Sequence, residues 1–189
     1  MPLTTKEFLA VFETAQHQEW DKTKISIMVF GPNTEGKKIG SSLRKYIIEK
    51  CNEYGVVIRT EHEDFTDIHR EILGSGRSLC TMELTVARHV DAIVMIPDSE
   101  GSLVELGMFA PYREFHEKTL ILYRDKYSSP AAQLSFVYLG PTLAYKASNA
   151  PIEFLDYRRK ELAWQKVKAF LHNKRADKYE RSNLKKLVS

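Results

Sequence analysis

Residues 91–110 read DAIVMIPDSEGSLVELGMFA, and this stretch decides the fold. Its first part, Asp91 to Pro97, is an apolar run rich in β-branched side chains, which predicts a buried strand. A polar turn with Gly101 follows, and the residues from Ser102 to Phe115 predict a helix. A buried strand followed closely by a helix is the repeating unit of a parallel α/β sheet.

The same alternation extends to both sides of this stretch, with short apolar runs separated by segments of helical periodicity. It predicts a Rossmann-like (flavodoxin-like) parallel sheet of about five strands, with helices on both faces and right-handed crossovers. The other predicted strands are Ile25–Gly31, Val56–Thr60, Thr119–Tyr123 and a fifth around Phe136–Leu139, and the other predicted helices are Ile39–Glu53, Ser78–His89 and Ile152–Arg175.

The length of 189 residues favours one domain with a tail rather than two independent domains. We divide the chain into an N-terminal helical segment (1–22), a catalytic domain (23–150), and a C-terminal basic helix and tail (151–189). No apolar run approaches the roughly 20 residues of a membrane span, and the N-terminus lacks the basic and apolar regions of a secretion signal. We therefore expect a soluble cytoplasmic protein without membrane contact.

The cysteines and histidines do not form a recognisable metal-binding pattern. The two cysteines, Cys51 and Cys80, are too few for a disulfide framework and have no CxxC spacing, and the six histidines include no HExxH pattern. We expect no metal and no cofactor.

Positive charge is concentrated at the C-terminus, since residues 158–189 hold eleven Lys or Arg against three Asp or Glu. The simplest interpretation is a solvated helix face. The alternative is contact with a polyanion such as nucleic acid.

Ligand sites in open α/β sheets form beyond the carboxyl ends of the strands. The loop after the first predicted strand contains Phe30, Gly31, Gly36 and Lys37 and precedes a helix. Backbone amides and ammonium groups of such a loop can hold an anion. An ordinary connecting loop is the alternative, because the residues match neither a P-loop nor GxGxxG.

The loop and helix after Pro97 form the second candidate. Glu105 lies three residues after Ser102, which is the spacing of a capping box in which Ser102 caps the helix and Glu105 reaches back to its amide. That interpretation requires no chemistry. The other interpretation is a carboxylate placed near a helix N-terminus, where the ionised form is favoured.

A family resemblance favours the second interpretation. The residues GSLVELG (101–107), MELT (82–85) and TEH (60–62) resemble the nucleoside 2-deoxyribosyltransferases and the related 2'-deoxynucleoside 5'-phosphate N-hydrolases. The resemblance covers roughly residues 24–125. It implies that Glu105 is the nucleophile that attacks C1′ of the sugar.

The resemblance also assigns supporting roles. Glu83 stands where the family usually has an aspartate, and Asp98 is the nearest counterpart of a loop aspartate. Gly101 and Ser102 correspond to a 5′-phosphate site. Phe30 replaces a tyrosine that some transferases have.

The chemistry is coherent on physical grounds. Breaking an N-glycosidic bond builds positive charge on the sugar, which a carboxylate stabilises or captures covalently. The departing base leaves more readily when an acid protonates it, and Glu83 and Asp98 are the candidates. His62 and Met108 are further candidate substrate contacts.

We therefore predict cleavage or transfer of the N-glycosidic bond of a nucleoside, a nucleotide or an NAD-like compound. Relatives of this superfamily include phage-defence effectors, and family members usually form homo-oligomers, so a homodimer is expected. The rival hypotheses are a non-catalytic nucleotide sensor of the same fold and a nucleic-acid-binding protein that acts through the basic tail.

Overall fold

A computed structural model describes residues 20, 22–59, 78–135 and 137–188. Strands and helices alternate along the described chain. In chain order the elements are β1 (Ile25–Phe30), α1 (Ile39–Cys51), β2 (Gly55–Ile58), α2 (Leu79–His89), β3 (Ala92–Met95), α3 (Glu100–Phe109), α4 (Arg113–His116), β4 (Thr119–Arg124), a 3-10 turn (Asp125–Ser128), α5 (Pro130–Gln133), a π-helical turn (Tyr138–Thr142), α6 (Leu143–Ala147), β5 (Ile152–Leu155) and α7 (Lys160–Val188). The predicted N-terminal helix lies almost entirely outside the described residues.

The five strands form one parallel sheet in the order β2-β1-β3-β4-β5. Ile27 pairs with Ala92 across β1 and β3, and Val94 pairs with Leu120 across β3 and β4. The chain runs from β1 to β2 on one side and from β3 to β4 on the other, so the strand order reverses between β1 and β3, as at the ligand sites of doubly wound folds. The predicted α/β architecture is confirmed.

Alternating side chains of β1 supply the cores on the two faces of the sheet. Ile27 and Val29 point into a cluster completed by α1 and α7, whereas Met28 and Phe30 point into a second cluster completed by α2, α3 and α6. Because both faces are covered, the central strands are mostly apolar. The two clusters therefore give the sheet an α1 side and an α3 side.

Two element predictions were wrong near the C-terminus. The fifth strand is Ile152–Leu155, which pairs with β4, whereas Tyr138 and Leu139 of the strand expected at Phe136–Leu139 lie in the π-helical turn. The last helix consequently begins at Lys160 rather than Ile152 and continues to Val188.

The helix after β3 is also shorter than predicted. It ends at Phe109, and a separate turn, α4, follows. Pro111 explains the break, because proline lacks an amide donor and clashes with the preceding helical turn.

Gly55 begins β2, one residue before the predicted start of this strand. It pairs with Ile25, and a β-carbon at this position would collide with the Ile25 backbone carbonyl. The close approach of β1 and the turn before β2 therefore requires glycine here.

Asp91, at the amino end of β3, ties α7 to the sheet. Its Oδ2 atom accepts hydrogen bonds from Lys178 Nζ (2.8 Å), from Ser26 N (2.8 Å) and from Ser26 Oγ (2.9 Å). Burial raises the pKa of Asp91, but these hydrogen bonds outweigh it, so the pKa of the carboxyl lies below its ordinary value.

Asp91→Asn is expected to lower the free energy of unfolding by about 1.5 kcal/mol at pH 7, because a charge-assisted hydrogen bond is lost. A carboxyl whose pKa is lowered by folding stabilises the protein above its unfolded pKa of about 3.9 and loses that contribution as the pH falls. The difference between the two proteins should therefore shrink below about pH 4. Urea unfolding at several pH values measures it.

Asp177→Asn is the matched control, because Asp177 also pairs with a lysine of α7, Lys174, but its side chain is 47% exposed against 18% for Asp91. Such a pair contributes less than about 1 kcal/mol. Equal stability of Asp91→Asn and the wild type at pH 7 would contradict the assigned role of Asp91.

Candidate functional site

The N-terminus of α3 is capped one turn earlier than the sequence pattern predicted. Ser99 is the N-cap, its Oγ accepts from Ser102 N (3.2 Å), and Ser99 N donates to Ser102 Oγ (3.0 Å). The alternative interpretation, in which Ser102 is the N-cap and Glu105 its capping-box partner, is therefore wrong. Glu105 lies in the second turn, where the favourable effect of the helix N-terminus on a carboxylate has declined.

This cap also changes the surroundings of the predicted phosphate contacts. Ser102 is 1% exposed, and its hydroxyl is engaged with Ser99. Gly101 is exposed, with open space where a β-carbon would stand. In this arrangement a ligand can reach the backbone at Gly101 but not the Ser102 hydroxyl.

Glu105 lies on the side of α3 that we infer to face α2. Gly101, Glu105 and Met108 follow one stripe at helical spacing, and just beyond it the Arg88 guanidinium of α2 lies over the Tyr112 ring at 5.9 Å. The Glu105 side chain is half-buried, and its Oε2 atom is fully buried. Glu105 is therefore a carboxylate partly withdrawn from water beside a second helix.

Glu83 is the corresponding acid on α2. It is 4% exposed and shares the inward face of α2 with Met82 and Ala87. Helices α2 and α3 contact each other. The structure thus brings Glu83 and Glu105 onto a pair of packed helices on the same side of the sheet.

Phe30 supports this helix pair from the sheet. It is 1% exposed, and its ring meets the Phe109 ring of α3 edge-on at 5.1 Å. Met108 is half-buried and packs against the same cluster. Phe30 therefore holds α3 in position and does not present its ring to solvent.

The loop between β1 and α1 is fastened by an arginine that sequence reasoning missed. Arg44 is 3% exposed and donates from Nη2 to Val29 O (2.6 Å) and from Nη1 to Pro32 O (3.2 Å). Gly31 leaves room for it, because a β-carbon there would stand 3.0 Å from Arg44 Cδ. A charged residue inside an otherwise apolar stripe of α1 was the available signal.

The other predicted residues of this loop lie farther out. Gly36 closes a turn through its amide, which donates to Asn33 O at 3.0 Å, and a β-carbon at Gly36 would stand 2.7 Å from Ser41 Oγ. Lys37 is exposed. The loop is therefore a compact turn with its lysines facing solvent.

Asp98 lies on the α1 side of the sheet, apart from the two glutamates. Its side chain is 7% exposed, with Oδ1 3.5 Å from Arg124 Nη1, and its Oδ2 lies against the backbone of Gly40. Arg124, at the end of β4, is a second residue that sequence reasoning missed. Asp98 thus contacts α1, whereas Glu83 and Glu105 lie on α2 and α3.

His62 and the TEH motif lie outside the described residues. Among the residues that are described, no group of three or more His, Cys, Asp or Glu side chains is arranged to hold a metal ion. None of the described helices is both long and apolar enough to cross a membrane.

Comparison with known proteins gives two findings. A family model described as STM3845 retron effector protein matches residues 40–188. An Escherichia coli protein of retron Ec86, whose name gives it as a proposed ribosyltransferase/DNA-binding protein, is 31% identical over 86 residues. The match covers 44% of this chain and 27% of that relative, so the chain spans about a quarter of the relative's length.

The family match includes both glutamates and Asp98 but not β1 or the loop from Phe30 to Lys38. The candidate site is therefore composed of a matched part on α2 and α3 and an unmatched part after β1.

Proposed function

Since the chain belongs to the STM3845 retron effector family, we propose that it acts in phage defence by breaking or transferring the N-glycosidic bond of a nucleotide-like compound. Glu105 is the nucleophile in this proposal. The relative whose name includes ribosyltransferase supports glycosyl chemistry, and the resemblance of the GSLVELG segment to the deoxyribosyltransferases supports the choice of Glu105.

The single observation that carries the proposal is the placement of two acids, Glu83 and Glu105, on packed helices beside the carboxyl end of β3. A partly buried carboxylate stabilises a developing oxocarbenium ion more strongly than a fully solvated one, because water screens the charge less there. Glu105 has no role in capping α3, because Ser99 and Ser102 form the cap, and its carboxylate therefore does not serve as a capping group.

The proposed reaction has two steps. Glu105 attacks C1′ as the bond from C1′ to the base nitrogen breaks, and the departing base takes a proton from Glu83. The resulting glycosyl ester is then attacked at C1′ by water, which gives hydrolysis, or by a second base, which gives transfer. Asp98 is the less suitable acid, because its carboxylate is paired with Arg124.

The test is base release from a panel of nucleosides, deoxynucleoside monophosphates and NAD, followed by chromatography. We expect a free base from at least one compound, and added acceptor bases distinguish transfer from hydrolysis. Tight binding of a compound without base release, both with and without acceptor bases, would contradict the enzymatic function and favour a nucleotide sensor of the same fold. The homodimer remains part of the proposal.

A second candidate function, contact with nucleic acid through α7, is favoured by the charge of the tail and by the words DNA-binding protein in the relative's name. The structure ties several basic side chains of α7 to other groups. Lys166 pairs with Glu153 (3.0 Å), Lys178 with Asp91 (2.8 Å), and the Arg175 guanidinium lies 4.0 Å from the centre of the Tyr54 ring.

These contacts restrict which basic residues of α7 can be substituted in a test of nucleic-acid binding. Truncation after residue 175 would also remove the contact between Lys178 and Asp91, so substitution of the exposed Lys168 and Arg181 is cleaner. Binding of an oligonucleotide that weakens steeply with salt and with Lys168→Gln plus Arg181→Gln would support it. Binding that is insensitive to both would exclude α7 as the contact surface.

A further inference from the structure

A cavity opens at the carboxyl edge of the sheet, on the α1 side. Its volume is about 410 Å³, and it is lined by Lys38, Ile39, Asp98, Arg124 and Lys126. These residues follow or end three different strands, β1, β3 and β4, so the sheet itself brings them together. The cavity adjoins the place where the strand order reverses.

The cavity has an excess of positive charge. Three of its five lining residues are cations and one is an acid, Asp98, whose carboxylate is already paired with Arg124 at 3.5 Å. The Lys126 ammonium lies over the Tyr127 ring at 4.8 Å. Within the described part of the chain, neither Lys38 nor Lys126 forms a side-chain ion pair. Two ammonium groups therefore remain available to a ligand.

The start of α1 borders this cavity. Lys38 is its N-cap and makes no side-chain capping bond, and the first turn of α1 contains no acid. Gly40 lies so close to Asp98 that a β-carbon would stand 2.5 Å from Oδ2. The protein thus places its own carboxylate at the helix terminus, where partial positive charge attracts anions, and leaves the outer cations unneutralised.

We propose that this cavity binds a phosphate group of a small phosphorylated ligand, through Lys38, Lys126 and the exposed part of Arg124. Phosphate is the fitting chemistry, because its two negative charges match the two uncompensated ammonium groups and its oxygens accept from several donors at once.

The test is isothermal titration calorimetry of the full chain with pyrophosphate, inorganic phosphate, a nucleoside monophosphate and the matching nucleoside. We expect pyrophosphate to bind, and its dissociation constant to rise about tenfold in Lys126→Gln and in Lys38→Gln, as for the loss of one charge-assisted contact. Lys146→Gln, which removes an exposed charge on α6 outside the cavity lining, should leave it unchanged.

The arms of the titration distinguish the sources of the phosphate. A monophosphate that binds more tightly than both phosphate and nucleoside identifies a nucleotide ligand, whereas equal binding of phosphate and monophosphate identifies a site for the free anion. Failure of pyrophosphate to bind, or an affinity unchanged in both cavity variants, would overturn the proposal. Repeating the titration with Glu105→Gln separates the two proposals, because binding must persist there whether or not the wild type releases a base.

Discussion

Glu105→Gln is expected to lower the rate of base release at least about 100-fold, the scale on which a central catalytic group acts. Glutamine keeps the size of the side chain but cannot form the glycosyl ester or stabilise positive charge at C1′. Because only the reacting group changes, the Michaelis constant should stay within a few-fold of the wild-type value. Rates from the compound that the panel identifies provide the measurement.

Glu100→Gln is the matched control on the same helix. Glu100 is exposed in the first turn of α3, so the substitution removes a charge that acts on the helix terminus. We expect full activity and a loss of about 0.5 kcal/mol in stability. If Glu105→Gln retained wild-type base release, the nucleophile would have to be sought elsewhere and Glu105 would be a structural residue.

Gly55→Ala is expected to lower the free energy of unfolding by about 3 kcal/mol, at the upper end of the cost of overpacking. The added β-carbon would collide with backbone at Ile25, which cannot rotate aside as a side chain can. For a chain of this size, the loss corresponds to a fall in melting temperature of about 9 °C. Thermal unfolding followed by circular dichroism measures it.

Gly107→Ala, in contrast, is expected to raise the free energy of unfolding of the same protein. Gly107 lies in the last turn of α3, and a β-carbon there would meet nothing within 4 Å. Alanine is the better helix former, so we expect a gain of about 0.8 kcal/mol. A Gly55→Ala protein as stable as Gly107→Ala would contradict the close packing of β2 against β1.

The central strands were predictable because burial on both faces leaves a continuous apolar run. β5 was missed because its four residues, IEFL, are short and include Glu153, and the helical periodicity that follows absorbed them into one predicted helix. The strand exists because β4 offers it an edge, which is a tertiary condition that local sequence does not contain.

Only part of the candidate site could be predicted from the sequence, again because local patterns do not contain tertiary contacts. The segment after β3 contains two serines at capping positions, Ser99 and Ser102, and both match the local pattern of a helix start. Only the packed structure selects Ser99. The pairing of Asp98 with Arg124 joins residues 26 positions apart, so the sequence alone gave no reason to expect Asp98 on the α1 side.

The buried Arg44 has a consequence for the energetics of ligand capture. Its guanidinium fixes the carbonyl oxygens of Val29 and Pro32, so the loop after β1 is ordered when the chain folds. A ligand that contacts this loop therefore encounters a preorganised surface and does not incur the entropic penalty of ordering it. Ligand binding at this edge of the sheet should therefore change the backbone of the loop very little.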